Sequence, residues 1–239
     1  MKKILVSITV TLVALAVWGT TVANANTINT ATALGATNAG QQVDAGVIIT
    51  TGAGTVTIDL SNLLTAAQVI SISQNLSALS FTLNNTTSSG SVASSAGTFI
   101  DVGNGGAVTG VSSALSGPNL IGWALSNSGG NYQLNGLGAA LAVPAQTIIG
   151  GTTGSLTAYS SANSSIDGNG PHNPFVQGKG HFVLYIAGVT STTDISNVVF
   201  SFGTTPGGTV RAPEPSSLVL LGMGLLGFVG LAGRKLITA

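Results

Sequence analysis

Apolar and polar positions alternate with a period of two in several short stretches of this chain. The clearest are Phe182-Val183-Leu184-Tyr185-Ile186 and Val198-Val199-Phe200-Ser201-Phe202, the spacing of strands with one buried face. Strand-like runs recur at residues 47–51, 55–60, 79–83, 98–102, 120–125, 132–134, 181–187 and 197–202. Gly52-Ala53-Gly54 joins the first two as a hairpin, and turn-rich pieces at 103–106, 127–131 and 167–174 separate later ones. Short strands punctuated this way predict an all-β body, a single β-sandwich or jelly-roll-like domain over residues 26–203. No repeat of fixed period is present, which removes solenoid and propeller readings.

Three segments break the pattern. Residues 63–72 (LLTAAQVISI) predict a short helix capped by Ser61 or Asn62, although its end is β-branched. Residues 26–42 are small and polar and read as a loosely attached arm. Residues 204–212 lack periodicity and read as a linker.

Continuous apolar runs occur only at the two ends. Lys2 and Lys3, an apolar run over 4–18, and small residues ending in Ala23 and Ala25 form a secretory signal peptide over 1–25, cut by signal peptidase to leave Asn26 first. At the other end, Pro213-Glu214-Pro215 precedes an uncharged run of 18 residues, 216–233, followed by Arg234 and Lys235. A helix of that length reaches about 27 Å against a hydrocarbon thickness of about 30 Å, so it spans the membrane. Arg234 and Lys235 then stay cytoplasmic and the body lies outside, in agreement with the signal peptide. Pro213 and Pro215 stop the helix from growing upstream and hold an extended segment at the outer membrane surface.

Pro213, Glu214 and Pro215, the Leu/Gly-rich residues 217–233 and the basic Arg234-Lys235 together resemble the PEP-CTERM sorting signal of exported bacterial proteins. The basic end is shorter than the Arg-rich run the family often carries. The resemblance implies a Gram-negative bacterium that makes exopolysaccharide, and a membrane-embedded, transpeptidase-like exosortase that processes the tail. Residues 168–175 (GNGPHNPF) and 195–207 (ISNVVFSFGTTPG) are similar to stretches found upstream of the signal in some of these proteins. That second likeness implies a shared β-sandwich type and no activity. Gly222 to Gly227 matches a dinucleotide fingerprint by letter, but it has no strand before it and no βαβ unit around it.

Composition sharpens the function classes. Only 5% of the 239 residues are charged and net charge is zero, with no cysteine, against about a quarter charged in ordinary soluble domains. The zero conceals an acidic body, since Asp44, Asp59, Asp101, Asp167 and Asp194 face only Lys179 between the two signals. So few cations cannot neutralise a row of phosphates, which excludes nucleic acid as a partner. The absence of cysteine excludes a lipoprotein and means that an exported body folds without disulfides.

Catalytic patterns are weak. Five Asp and no Glu leave no local carboxylate pair of the kind a glycosidase uses. His172 and His181 are the only imidazoles, and there is no G-x-S-x-G elbow. Asp167, His172, Lys179 and His181 are the one concentration of ionisable groups, able in principle to ligate a metal or bind a sugar; Asp167-Gly168-Asn169 reads more simply as turn chemistry and His181 as the start of a strand. Trp123, Tyr132, Tyr159, Phe175 and Tyr185 are candidates for stacking on sugars, with core positions the simpler reading. The expectation is therefore an exported, exosortase-sorted protein of the cell surface or exopolysaccharide matrix. Its anchor in the inner membrane is transient, its role structural or adhesive and non-catalytic, and it needs no metal or cofactor. The alternative is a carbohydrate-binding module or a carbohydrate-active hydrolase.

Overall fold

The computed structural model describes residues 28–212 apart from 38, 119–120, 138–145 and 205–207. The strands are β1 (Ile28–Ala36), β2 (Gln42–Gly52), β3 (Thr55–Asn62), β4 (Leu76–Leu83), β5 (Gly90–Val102), β6 (Val108–Gly117), β7 (Ala124–Ser128), β8 (Asn131–Asn135), β9 (Ile148–Ile149), β10 (Phe175–Ile186), β11 (Ile195–Phe202) and β12 (Gly208–Arg211). The body is all-β.

Pairing builds two antiparallel ladders. One runs β1-β2-β3-β10-β5-β6 and the other β7-β8-β4-β11-β12. The short β9 joins them, since Ile148 and Ile149 pair in parallel with Val176 and Gln177 of β10 while Ile148 also meets Leu76 of β4. The inward rows follow the sequence alternation: Val56, Ile58 and Leu60 on β3, Phe182, Leu184 and Ile186 on β10, and Leu79, Phe81 and Leu83 on β4. Residues of both ladders share one apolar cluster. At its centre the Trp123 and Phe182 rings lie 5.1 Å apart, and the Trp123 indole N–H donates to the Gln146 carbonyl at 3.0 Å. Each fully buried Phe, Leu or Ile contributes roughly 1.5–3 kcal/mol, so this shared interior is the main source of stability.

A second, smaller cluster lies under the long connection between β9 and β10. It gathers Leu64, Val69, Ile100, Val102, Ile149, Tyr159, Ile166 and Phe175. Strand β10 reaches both clusters because its pairing with β5 shifts between Val176 and Gly180, where Gly178 takes φ +70°. An L side chain rarely adopts that conformation, so glycine permits the bulge. Tyr159 pins the connection: its hydroxyl donates to the Gly150 carbonyl at 2.7 Å and its backbone N–H to the Gly106 carbonyl at 2.8 Å.

Three sequence expectations are corrected. Residues 63–72 form no α-helix; two single 3-10 turns, Ala66–Gln68 and Ile72–Gln74, stand there, preceded by Thr65 and Ser71 rather than by Ser61 or Asn62. The buried Gln74 side chain accepts from the Ile70 and Ser71 N–H groups and donates to the Gln42 and Gln68 carbonyls. Asn62 donates to the Gln74 and Ile148 carbonyls. These bonds satisfy backbone groups that a helix would have paired internally. Residues 26–42 are not a loose arm from Ile28 onward, because β1 pairs with β2 along nine residues by main-chain bonds that need no apolar pattern. The linker reading of 204–212 fails at Gly208–Arg211, which pair with β11 as β12.

The expected signal peptide with Ala23 and Ala25, the Pro213-Glu214-Pro215 motif, the apolar run and Arg234-Lys235 lie outside the described residues. Among the described residues no helix is long and apolar enough to cross a membrane.

Two outcomes test the pinning of the connection. Gly106 has φ +70°, and a Cβ there would run into the backbone carbonyl of Tyr159. Gly106→Ala should lower stability by about 2–4 kcal/mol in urea unfolding, whereas the same change at Gly54, where a Cβ meets nothing, should cost about 1 kcal/mol. Burial pushes the Tyr159 phenol up to about 12, with the Gln177 side chain pulling back. The folded state thus holds a proton that the unfolded chain loses near pH 10. Stability is whole below pH 10 and falls as pH rises to 12, by an order of 2–3 kcal/mol. Tyr159→Phe should flatten this alkaline slope in pH-dependent unfolding.

Candidate functional site

The outer face of the first ladder carries the residues that alternate away from the core. On β3 these are Thr57, Asp59 and Ser61, and on β10 Lys179, His181, Val183 and Tyr185. Antiparallel register sets them in rows: Lys179 stands opposite Ser61, and Ser61 opposite Gly46 of β2; His181 stands opposite Asp59, and Asp59 opposite Ile48. Asp59 Oδ1 lies 3.1 Å from His181 Nδ1 and forms an ion pair with Lys179 Nζ at 3.5 Å. Lys179 is 53% exposed, so the ion pair adds at most about 1 kcal/mol to stability.

Beside these charges is a groove of about 300 Å³ lined by Thr32, Gly46, Val47, Ile48, Asp59, Ser61, Leu63 and Lys179. Gly46 opens it: a Cβ there would come within 3.3 Å of Leu63 Cδ1 and 3.6 Å of Thr32 Cγ2. Ile48 is 46% and Leu63 48% exposed, so one wall is apolar and open to solvent. Near this end Asp44 is raised by partial burial, with the Ala45 N–H opposing. The site therefore offers a carboxylate acceptor, an ammonium donor, a hydroxyl and an apolar shelf within one notch.

The outer face of the second ladder has a hollow of about 320 Å³ lined by Ser80, Phe81, Thr82, Asn131, Asn197, Val199 and Arg211. It is uncharged except for Arg211. Asn197 sits at φ +51° where the pairing of β11 with β4 shifts between Ser196 and Val199. Asn is among the few residues that tolerate this region.

The group of ionisable residues singled out along the chain divides in space. Lys179 and His181 both reach Asp59 from β10, while Asp167 and His172 belong to the connection before it. There Asp167 Oδ1 accepts from the Gly106 N–H at 3.3 Å and His172 Nδ1 lies 2.6 Å from the Ser165 carbonyl. Among the described residues no group of three His, Asp, Glu or Cys could hold a metal. Trp123, Tyr132, Tyr159 and Phe175 are core residues; Tyr185 alone of the five is exposed, at 59%. Asp59 was not singled out by sequence. Its alternation with Thr57 and Ser61 marks the outward face, but only the pairing of β3 with β10, 120 positions downstream, supplies its partners.

A family model described as the PEP-CTERM protein-sorting motif matches residues 211–235, so the chain carries that motif at its carboxyl end. No curated protein and no solved structure matches the chain.

The notch makes a measurable distinction. Asp59→Asn should shift unfolding midpoints by less than about 1 kcal/mol equivalent, since the ion pair is solvent-exposed. Gly46→Val, which fills the groove against Leu63 and Thr32, should cost more, about 1–3 kcal/mol by chemical denaturation.

Proposed function

We propose that the protein is an exported, exosortase-sorted component of the cell surface or exopolysaccharide matrix of a Gram-negative bacterium, with a non-catalytic structural or adhesive role. The observation that carries the reading is the sorting motif at 211–235 joined to a weakly charged all-β body. The motif implies export and processing by exosortase-type machinery; signal peptidase cutting after Ala25 and a transient stay in the inner membrane complete the route. The two facing ladders with a shared core fit a sandwich or jelly-roll-like domain. Low net charge suits a crowded matrix, because neighbouring copies repel one another little.

A second reading, a carbohydrate-binding module, is favoured by the same notch. Carboxylate, ammonium and hydroxyl groups can bond the hydroxyls of a neutral sugar while its C–H face lies on Ile48 and Leu63.

Mass spectrometry of the protein from the extracellular fraction tests the first reading. The mature chain should begin at Asn26 and lack the peptide through Arg234-Lys235. Surface protein that retains this peptide intact would refute tail processing. Glycan-array binding without turnover, weakened about tenfold or more by Asp59→Asn, supports the second reading. Release of reducing ends, abolished by Asp→Asn changes, would instead establish a hydrolase.

A further inference from the structure

The last described strand runs into the sorting motif. The motif match begins at Arg211, which is also the last residue of β12 and stands opposite Val199 of β11. The hold continues one residue further, where the Ala212 N–H donates to the Val198 carbonyl at 2.9 Å. Val210 and Ala212 both pack against the main core. Val210 also presses on β1, so closely that a Cβ on Gly35 would come within 2.7 Å of Val210 Cγ2. β12 is thus bonded to β11 and packed against β1, and structure reaches the residue immediately before Pro213.

This leaves an enzyme that takes Pro213-Glu214-Pro215 little main chain to grip. Peptides bound in extended form are held largely by backbone hydrogen bonds. Pro213 and Pro215 have no N–H to give, so within the motif only Glu214 can donate. Further donors must come from flanking residues, and those upstream, 208–212, are in a strand whose main chain is partly engaged by β11. The three motif residues span only about 10 Å when extended, which also keeps the body close to the apolar run.

We propose that Gly208–Arg211 and Ala212 form part of the recognition segment of the processing enzyme, and that β12 must leave β11 for the tail to be processed. The inference rests on the sorting reading above. The hold is made for release: β12 is four residues long, lies at the end of its ladder, and keeps only half-buried or exposed side chains.

The test staples the strand. Ser201 and Thr209 stand opposite each other in the β11–β12 register, and the chain has no other cysteine, so Ser201→Cys with Thr209→Cys gives one defined bridge in the oxidising cell envelope. Full-length protein is exported from a host with exosortase-type machinery, and the fraction retaining the tail is followed by mass spectrometry after a pulse. The stapled protein should be processed about tenfold more slowly or worse than either single-cysteine variant. Reductant should restore processing, as should a Gly/Ser spacer of about eight residues between Ala212 and Pro213 in the stapled chain. Equal rates with and without the bridge, or a slow rate that neither reductant nor spacer relieves, would overturn the inference. Deletion of Pro213-Glu214-Pro215 separates the two levels: processing that survives it refutes the sorting reading and the inference together, whereas equal rates alongside a deletion that stops processing refute the inference alone.

Discussion

Both faces and both edges of β10 are in use, and the rest of the structure is referred to that strand. One edge pairs with β3 and then β9, the other with β5. Its inward face supplies Phe182, Leu184 and Ile186 to the core, and its outward face supplies Lys179 to the notch and His181 to Asp59. The bulge at Gly178 lets its first residues serve the second cluster through Phe175. A strand bonded on both edges cannot slip by one residue without turning every core side chain outward, so the register of the notch is as firmly set as the core itself.

A body with so little charge must settle its polar groups by other means. Ser, Thr and Asn cover the surface, and inside, amide side chains substitute for missing secondary structure. Gln74 and Asn62 are buried and bonded to main chain around the end of β3, the two 3-10 turns and β9. Left unpaired, each such group would cost about 1–3 kcal/mol. The same economy leaves the Asp59, Lys179 and His181 cluster conspicuous, because among the described residues it contains the only ion pairs.

The sorting motif and the body connect at β12. The sorting motif begins at the end of β12 on the second ladder, while the notch lies on the outer face of the first. Sorting and binding can therefore be perturbed separately. Changes at Gly46 or Asp59 act on the first ladder's outer face, and changes at Gly208–Arg211 act on the last strand of the second.

Local sequence determined the class of the body and its sorting. Alternation placed Phe182, Leu184, Phe200 and Phe202 inward, and Pro213-Glu214-Pro215 with its apolar run announced the motif, because both signals are carried by neighbours in the chain. β1, β6 and β12 were illegible, since Gly, Ala, Ser and Thr carry little apolar periodicity and these strands form through main-chain bonds to partners already in place. The expected helix at 63–72 gave way to 3-10 turns for a similar reason: the buried Gln74 and Asn62 amides offered the backbone better partners than a helix could. Only the tertiary structure joined Asp59 to Lys179 and His181, and only it placed Gly208–Arg211 beside β11. Both results depend on cross-strand register between distant segments, and a period of two states which face a residue takes, never which residue it will stand beside.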